Sequence, residues 1–87
     1  MKFKVRGEEW ILRWSGKLKK SWGTCDSRRN EITLYSKMRP RKQLEISLHE
    51  FAHAFFQDAD EEVVKKFGDD AADYLWSLGY RRPSGNA

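Results

Sequence analysis

The run Leu44-Glu45-Ile46-Ser47-Leu48-His49-Glu50-Phe51-Ala52-His53-Ala54-Phe55-Phe56 constrains this chain more than any other stretch of it. Leu44, Leu48, Phe51 and Phe55 recur at the spacing of one helix face, while Ile46 and Phe56 fall away from that stripe, near the angular position of the two histidines. A helix apolar on more than one side is a buried helix, so the rest of the fold must wall it in. His49 and His53 are the only histidines and stand one helical turn apart, so both imidazoles project from one face. Glu50 sits beside the first, and an ionised carboxylate in such apolar company is costly without a positive or hydrogen-bonding partner. Two imidazoles at this spacing can grip one zinc ion, and the glutamate then has a water to act on as general base. The bland reading of the same residues is a core histidine pair with a glutamate reaching for solvent.

At 87 residues the chain makes a single domain, read as residues 1–80 with a polar tail over 81–87. A core of that size is marginal, and a bound metal would add useful stability and couple to folding. No apolar run approaches the length needed to cross a bilayer, and Met1-Lys2-Phe3-Lys4-Val5-Arg6 lacks the apolar centre of a signal peptide. The lone Cys25 allows no intramolecular disulfide, which agrees with a reducing, cytoplasmic setting. Cys25 reads as a small buried hydrophobe at a tight turn, with an extra metal ligand or redox-sensitive thiol as the functional alternatives.

The net charge of +4 hides an asymmetry. Residues 1–43 hold 13 Lys or Arg against 4 Asp or Glu, a balance of +9, whereas residues 44–87 hold 4 against 9, a balance of −5. A basic first half suggests an acidic partner, nucleic acid among them. Lys17, Lys19, Lys20, Arg28, Arg29, Lys37, Arg39, Arg41 and Lys42 supply cations, with Trp14, Trp22 and Tyr35 interleaved where they could stack on bases. A solvated basic surface accounts for the same pattern.

Lys2 to Arg6 and Glu9 to Trp14 read as a β-hairpin around a tight glycine turn at Gly7-Glu8. Ser15 to Asn30, rich in Gly, Ser and cations, reads as a long loop, and Glu31 to Tyr35 as a third strand with Ile32 and Leu34 on one face. Pro40 fits the first turn of a helix running to about Gln57. Asp60 suits the N-cap of a second helix, with Glu61 and Glu62 favoured in its first turn. Val64, Phe67, Gly68, Ala71, Leu75 and Leu78 are its expected inward stripe, and Gly79 its stop. Strands followed by helices predict an α+β domain: a small antiparallel three-stranded sheet followed by two packed helices, the first carrying the histidines.

With these residues in place, the chain resembles the zincin superfamily, specifically a minimal gluzincin-type or SprT-like metallopeptidase domain. His49-Glu50-Phe51-Ala52-His53 carries the resemblance. Trp22-Gly23-Thr24-Cys25-Asp26 with Asn30-Glu31-Ile32-Thr33-Leu34 is similar to the segment and strand preceding the motif helix in SprT-like proteins, and Asp60 to Val64 through Leu75 to Arg81 is similar to the second helix of small bacterial and phage proteins with this motif. The resemblance spans about residues 22 to 81 and implies a peptidase whose substrate lies along a strand edge, for which Glu31 to Tyr35 is the expected strand. SprT-like enzymes usually take a third histidine as ligand, and this sequence has none, so a carboxylate must complete the set. Asp58, Asp60, Glu61 and Glu62 are the options. Asp60 is engaged if it caps the second helix, Glu62 projects away from the buried stripe, and Glu61 lies one turn before Val64 on its flank, which makes Glu61 the preferred ligand. A helix-start carboxylate favoured only by the dipole explains Glu61 equally well.

The expectation is a zinc metallopeptidase acting on a protein or peptide substrate, with His49, His53 and Glu61 as metal ligands and Glu50 as the catalytic base. The competing expectation is a zincin-like binding module whose metal is structural or vestigial and whose basic N-terminal half contacts nucleic acid or a protein.

Overall fold

The computed structural model describes residues 1–17 and 21–83, so Lys19 and Lys20 of the basic set and the last residues of the expected tail lie outside the described residues. Four strands precede two helices: β1 (Lys2–Val5), β2 (Glu8–Ser15), β3 (Gly23–Asp26), β4 (Glu31–Tyr35), α1 (Pro40–Phe55) and α2 (Glu61–Ser77). Their sheet order is β1-β2-β4-β3.

β1 and β2 form a hairpin as expected, but its two-residue turn is Arg6-Gly7 rather than Gly7-Glu8, with Val5 opposite Glu8. Both turn residues, Arg6 at φ 51° and Gly7 at φ 83°, take the positive φ that a turn matching strand twist demands. Two expectations for the sheet are corrected. It has four strands rather than three, because part of the segment read as a loop pairs with β4 as β3. It is mixed rather than antiparallel, because β2 and β4 run parallel with Leu12 opposite Ile32 and Trp14 opposite Leu34. The chain crosses from the end of β2 to the far side of β4, lays down β3, and turns back through Ser27 to Asn30. Asp26 Oδ1 accepts the Arg28 N–H at 3.0 Å there, and Asn30 takes φ 54°.

The alternation in β4 is as expected, with Ile32 and Leu34 buried on one face. They join Val5, Trp10, Met38 and Ala54 in the core, with Phe3, Leu12, Ile46 and Phe51 packed around them. α1 lies between this core and α2, touching β3 and β4 on one side and α2 on the other, which is why its sequence is apolar on more than one face. It ends at Phe55, two residues short of the expected Gln57, and Phe55 itself is exposed.

The two helices close on small residues. Val64, Gly68 and Ala72 are the buried positions of α2, and a Cβ on Gly68 would sit 3.0 Å from the Cα of His49. This approach corrects the expected inward stripe: Phe67 and Leu78 are exposed, because bulky side chains do not fit where two backbones come so near. Among the described residues no helix is long and apolar enough to cross a membrane.

Candidate metal centre

Helical periodicity puts His49 and His53 on one face of α1, and the short connection from Phe56 to Asp60 brings the start of α2 back over that face. The two Nε2 atoms lie 3.1 Å apart. Glu61, the first residue of α2, sets Oε1 3.1 Å from Nε2 of His49 and Oε2 2.9 Å from Nε2 of His53. All the ligand atoms lie within 4.8 Å of one another.

The donor set fits a small divalent cation. Two ring nitrogens 3.1 Å apart leave room for at most one proton between them. As metal ligands both rings would carry their proton on Nδ1 and aim two Nε2 lone pairs at one spot, where the Glu61 carboxylate adds negative density. A tetrahedral zinc ion with bonds of ~2.0–2.1 Å holds its ligands about 3.3 Å apart, a little more than the 3.1 Å between the two Nε2 atoms, while each Glu61 oxygen faces a different histidine. His49 and His53 side chains are 19% and 30% exposed while Glu61 is 67% exposed, so the cluster is walled on the α1 side and open on the other.

Glu61 is thus brought to the histidines and the other three carboxylates are not. Asp60 occupies the N-cap position of α2, but its side chain makes no capping hydrogen bond, so capping does not account for its distance from the histidines. Position decides instead: Glu61, at the start of α2, faces both His49 and His53. Glu62 turns outward to Lys66 at 3.3 Å.

Glu50 is buried, 8% exposed. Burial pushes its carboxyl above the ordinary carboxylate range; nearby His53 pulls it back down, and the Glu61 charge pushes it up again. Two clefts open on it. One, of about 410 Å³, runs past Thr24, Cys25, Ser27, His53 and Gln57. The other, of about 380 Å³, runs past Trp22, Gly23, Lys42, His49 and Lys65. β3 borders both, which corrects the expected strand edge: β4 is paired on both sides, and β3 is the outer strand facing the site.

Gly23 and Gly68 position this site, and the sequence reading gave them no role at it. A Cβ on Gly23 would sit 2.9 Å from Ile46 Cγ2 and 3.1 Å from Glu50 Cγ, so only glycine lets β3 lie this close to α1. The available signal was cost, since glycine inside a strand or helix loses roughly 0.5–1 kcal/mol against alanine and so implies a packing reason. Cys25 is half-buried beside Glu50, and its thiol is pushed up to about 11 by burial, with the Glu50 and Asp26 charges adding to it. It stays a neutral thiol at physiological pH and is not among the clustered ligands. Set beside family models, curated proteins and solved structures, the chain finds no match.

Proposed function

We propose that this chain is a zinc-dependent peptidase in which His49, His53 and Glu61 hold the ion and Glu50 is the general base. The observation that carries the reading is the convergence of three ligand side chains from two helices at a point flanked by a buried carboxylate and two open clefts. A zinc ion held by these residues would supply Lewis acidity to a water and to a carbonyl. Glu50 would accept the proton of an attacking water and deliver it to the departing amine. Its burial suits this work, because a carboxylate whose proton affinity is raised both accepts and carries a proton more readily. The outer edge of β3 offers unpaired backbone donors and acceptors to an extended peptide, so recognition rests on main chain more than on sequence.

The test is metal content by elemental analysis alongside cleavage of fluorescently labelled casein. The expected result is near one zinc per chain, lost in His49→Ala, with Glu50→Gln keeping the zinc and losing turnover by ~10²–10⁴-fold. Hydrolysis unchanged in Glu50→Gln, or no zinc after reconstitution, would falsify the proposal. One observation favours a second reading, in which the metal is structural: the ligands come from both helices, so an ion would staple α1 to α2. Retention of zinc with no cleavage by the wild-type chain selects it.

A further inference from the structure

At the other end of α1 from the histidines, the fold gathers cations and aromatic rings that are far apart in sequence. Parallel pairing of β2 and β4 brings both strand ends together, and the Ser36 N–H donates to Ser15 O at 2.8 Å. Lys37 lies against Gly16, its Cε 3.9 Å from where a Cβ would stand. Arg39 precedes Pro40 at the start of α1, where no acidic residue occupies the first turn. α2 delivers its C-terminal segment to the same place, so that Arg82 sits 4.4 Å from the centre of the Trp14 ring and Arg81 3.4 Å from that of Trp76.

These groups surround an apolar pocket of about 250 Å³ walled by Leu12, Trp14, Leu44, Trp76 and Tyr80, with Arg82 at its margin. Arg81 is engaged by α2, donating to Trp76 O and Tyr80 O at 2.9 Å each. Lys17, Lys37, Arg39 and Arg82 make no ion pair among the described residues, whereas Arg41 and Lys42 nearby are matched by Asp73 and Glu45. Cations gathered at one pole without matching acids repel one another, a cost that a bound anion would relieve.

We infer that this pole is a binding surface for single-stranded nucleic acid, with Lys17, Lys37, Arg39 and Arg82 on phosphates and one unpaired base stacked at the Trp14–Trp76 pocket. Charge alone would suit any polyanion. Arg82 lies over Trp14, and Arg81 and Arg41 lie over Trp76, so a flat base would stack on these guanidinium and ring planes, which a polyanion without π-faces cannot use, and a base can enter only when it is unpaired. The surface is not the basic first half as such. It draws Trp76 and Arg82 from the acidic second half and leaves Lys4 and Arg28 at the opposite end of the sheet. It is independent of the metal reading: its pocket shares no lining residue with the two clefts at Glu50, and Pro40, where α1 begins, stands roughly 14–20 Å along the helix from His49 and His53.

The test is fluorescence anisotropy of a labelled oligothymidine of about twelve nucleotides, titrated with the full chain between about 50 and 200 mM salt. The expected result is binding at roughly 1–100 µM, tighter than to a duplex of equal length, with Lys37→Gln/Arg82→Gln and Lys17→Gln/Arg39→Gln each weakening it at least ~5-fold and flattening the salt slope by ~1.4. The charge-matched Lys4→Gln/Arg28→Gln control stays within about twofold of wild type if the contact is local. No binding at the lowest salt, equal loss in the control, equal competition by polyglutamate, or equal affinity for an abasic oligonucleotide would each overturn the proposal. Circular dichroism of each variant separates loss of contact from loss of fold.

Discussion

Glu50 is where stability and the proposed chemistry pull in opposite directions. Its carboxylate is buried by the approach of β3 and held above its ordinary proton affinity, so folding prefers the protonated form. The sign follows: the cost of keeping it ionised is present above the ordinary carboxylate range and vanishes as pH falls below it, where folded and unfolded chains both carry the proton. Glu50→Gln keeps the shape and removes the charge. In the metal-free protein it should therefore raise Tm at pH 7, by ~4–8 °C for each kcal/mol recovered, with the gap closing near pH 4. Thermal denaturation in a chelator at both pH values measures it, and a variant less stable than wild type at pH 7 contradicts the assignment of burial as the dominant cause. The histidine pair and Glu50 were legible in sequence because their relation is local, set by one turn of one helix. Glu61 was legible only as one of four carboxylates, since its place depends on where α2 returns over α1.

At the scale of elements, the two glycines carry information that side chains cannot. Gly68 meets His49 backbone, with Cα at 3.0 Å and N at 3.1 Å from a built Cβ, and backbone cannot swing aside as a side-chain tip can. Gly68→Ala must push α2 away from α1, and Glu61 is carried on α2. The expected cost is ~1–3 kcal/mol in stability, as for other overpacked sites. Zinc affinity should also fall at least tenfold as the carboxylate leaves the histidines, read by competition with a chelating dye. Wild-type affinity in a folded Gly68→Ala protein would show that the helix contact does not set the ligand geometry. The sheet was the least legible part of the fold. β3 has four residues, and its inward positions are Gly23 and Cys25, so it lacks the alternation of apolar side chains that announces a strand. The parallel partnership of β2 and β4 had no local signature either, because the pairing is set by the crossover that β3 completes.

Across the whole molecule, the opposite charge balances of the two sequence halves survive folding only in part. The fold takes Arg82 from the acidic half to the end of the molecule where Lys37 and Arg39 lie, because α2 runs back alongside α1, while Lys4 and Arg28 stay at the opposite end of the sheet. The same return path brings Glu61 to the histidines, since Glu61 begins the helix whose end delivers Arg82. At the proposed metal site, ion and fold would be thermodynamically linked: an ion that binds only the folded chain stabilises it by RT ln(1 + [Zn]/Kd), about 2.7 kcal/mol at a hundredfold excess over Kd. In a chain of 87 residues that corresponds to a rise in Tm of roughly 10–20 °C, lost on chelation and recovered on adding zinc back. Glu61→Ala should abolish most of this rise while leaving the metal-free Tm within ~2 °C, because the side chain is exposed and its removal opens no cavity. A zinc-dependent rise of full size in Glu61→Ala would place the third ligand elsewhere. Absence of any rise in the wild-type chain would reduce the histidine pair to packing, and with it the link between α2 docking and the site.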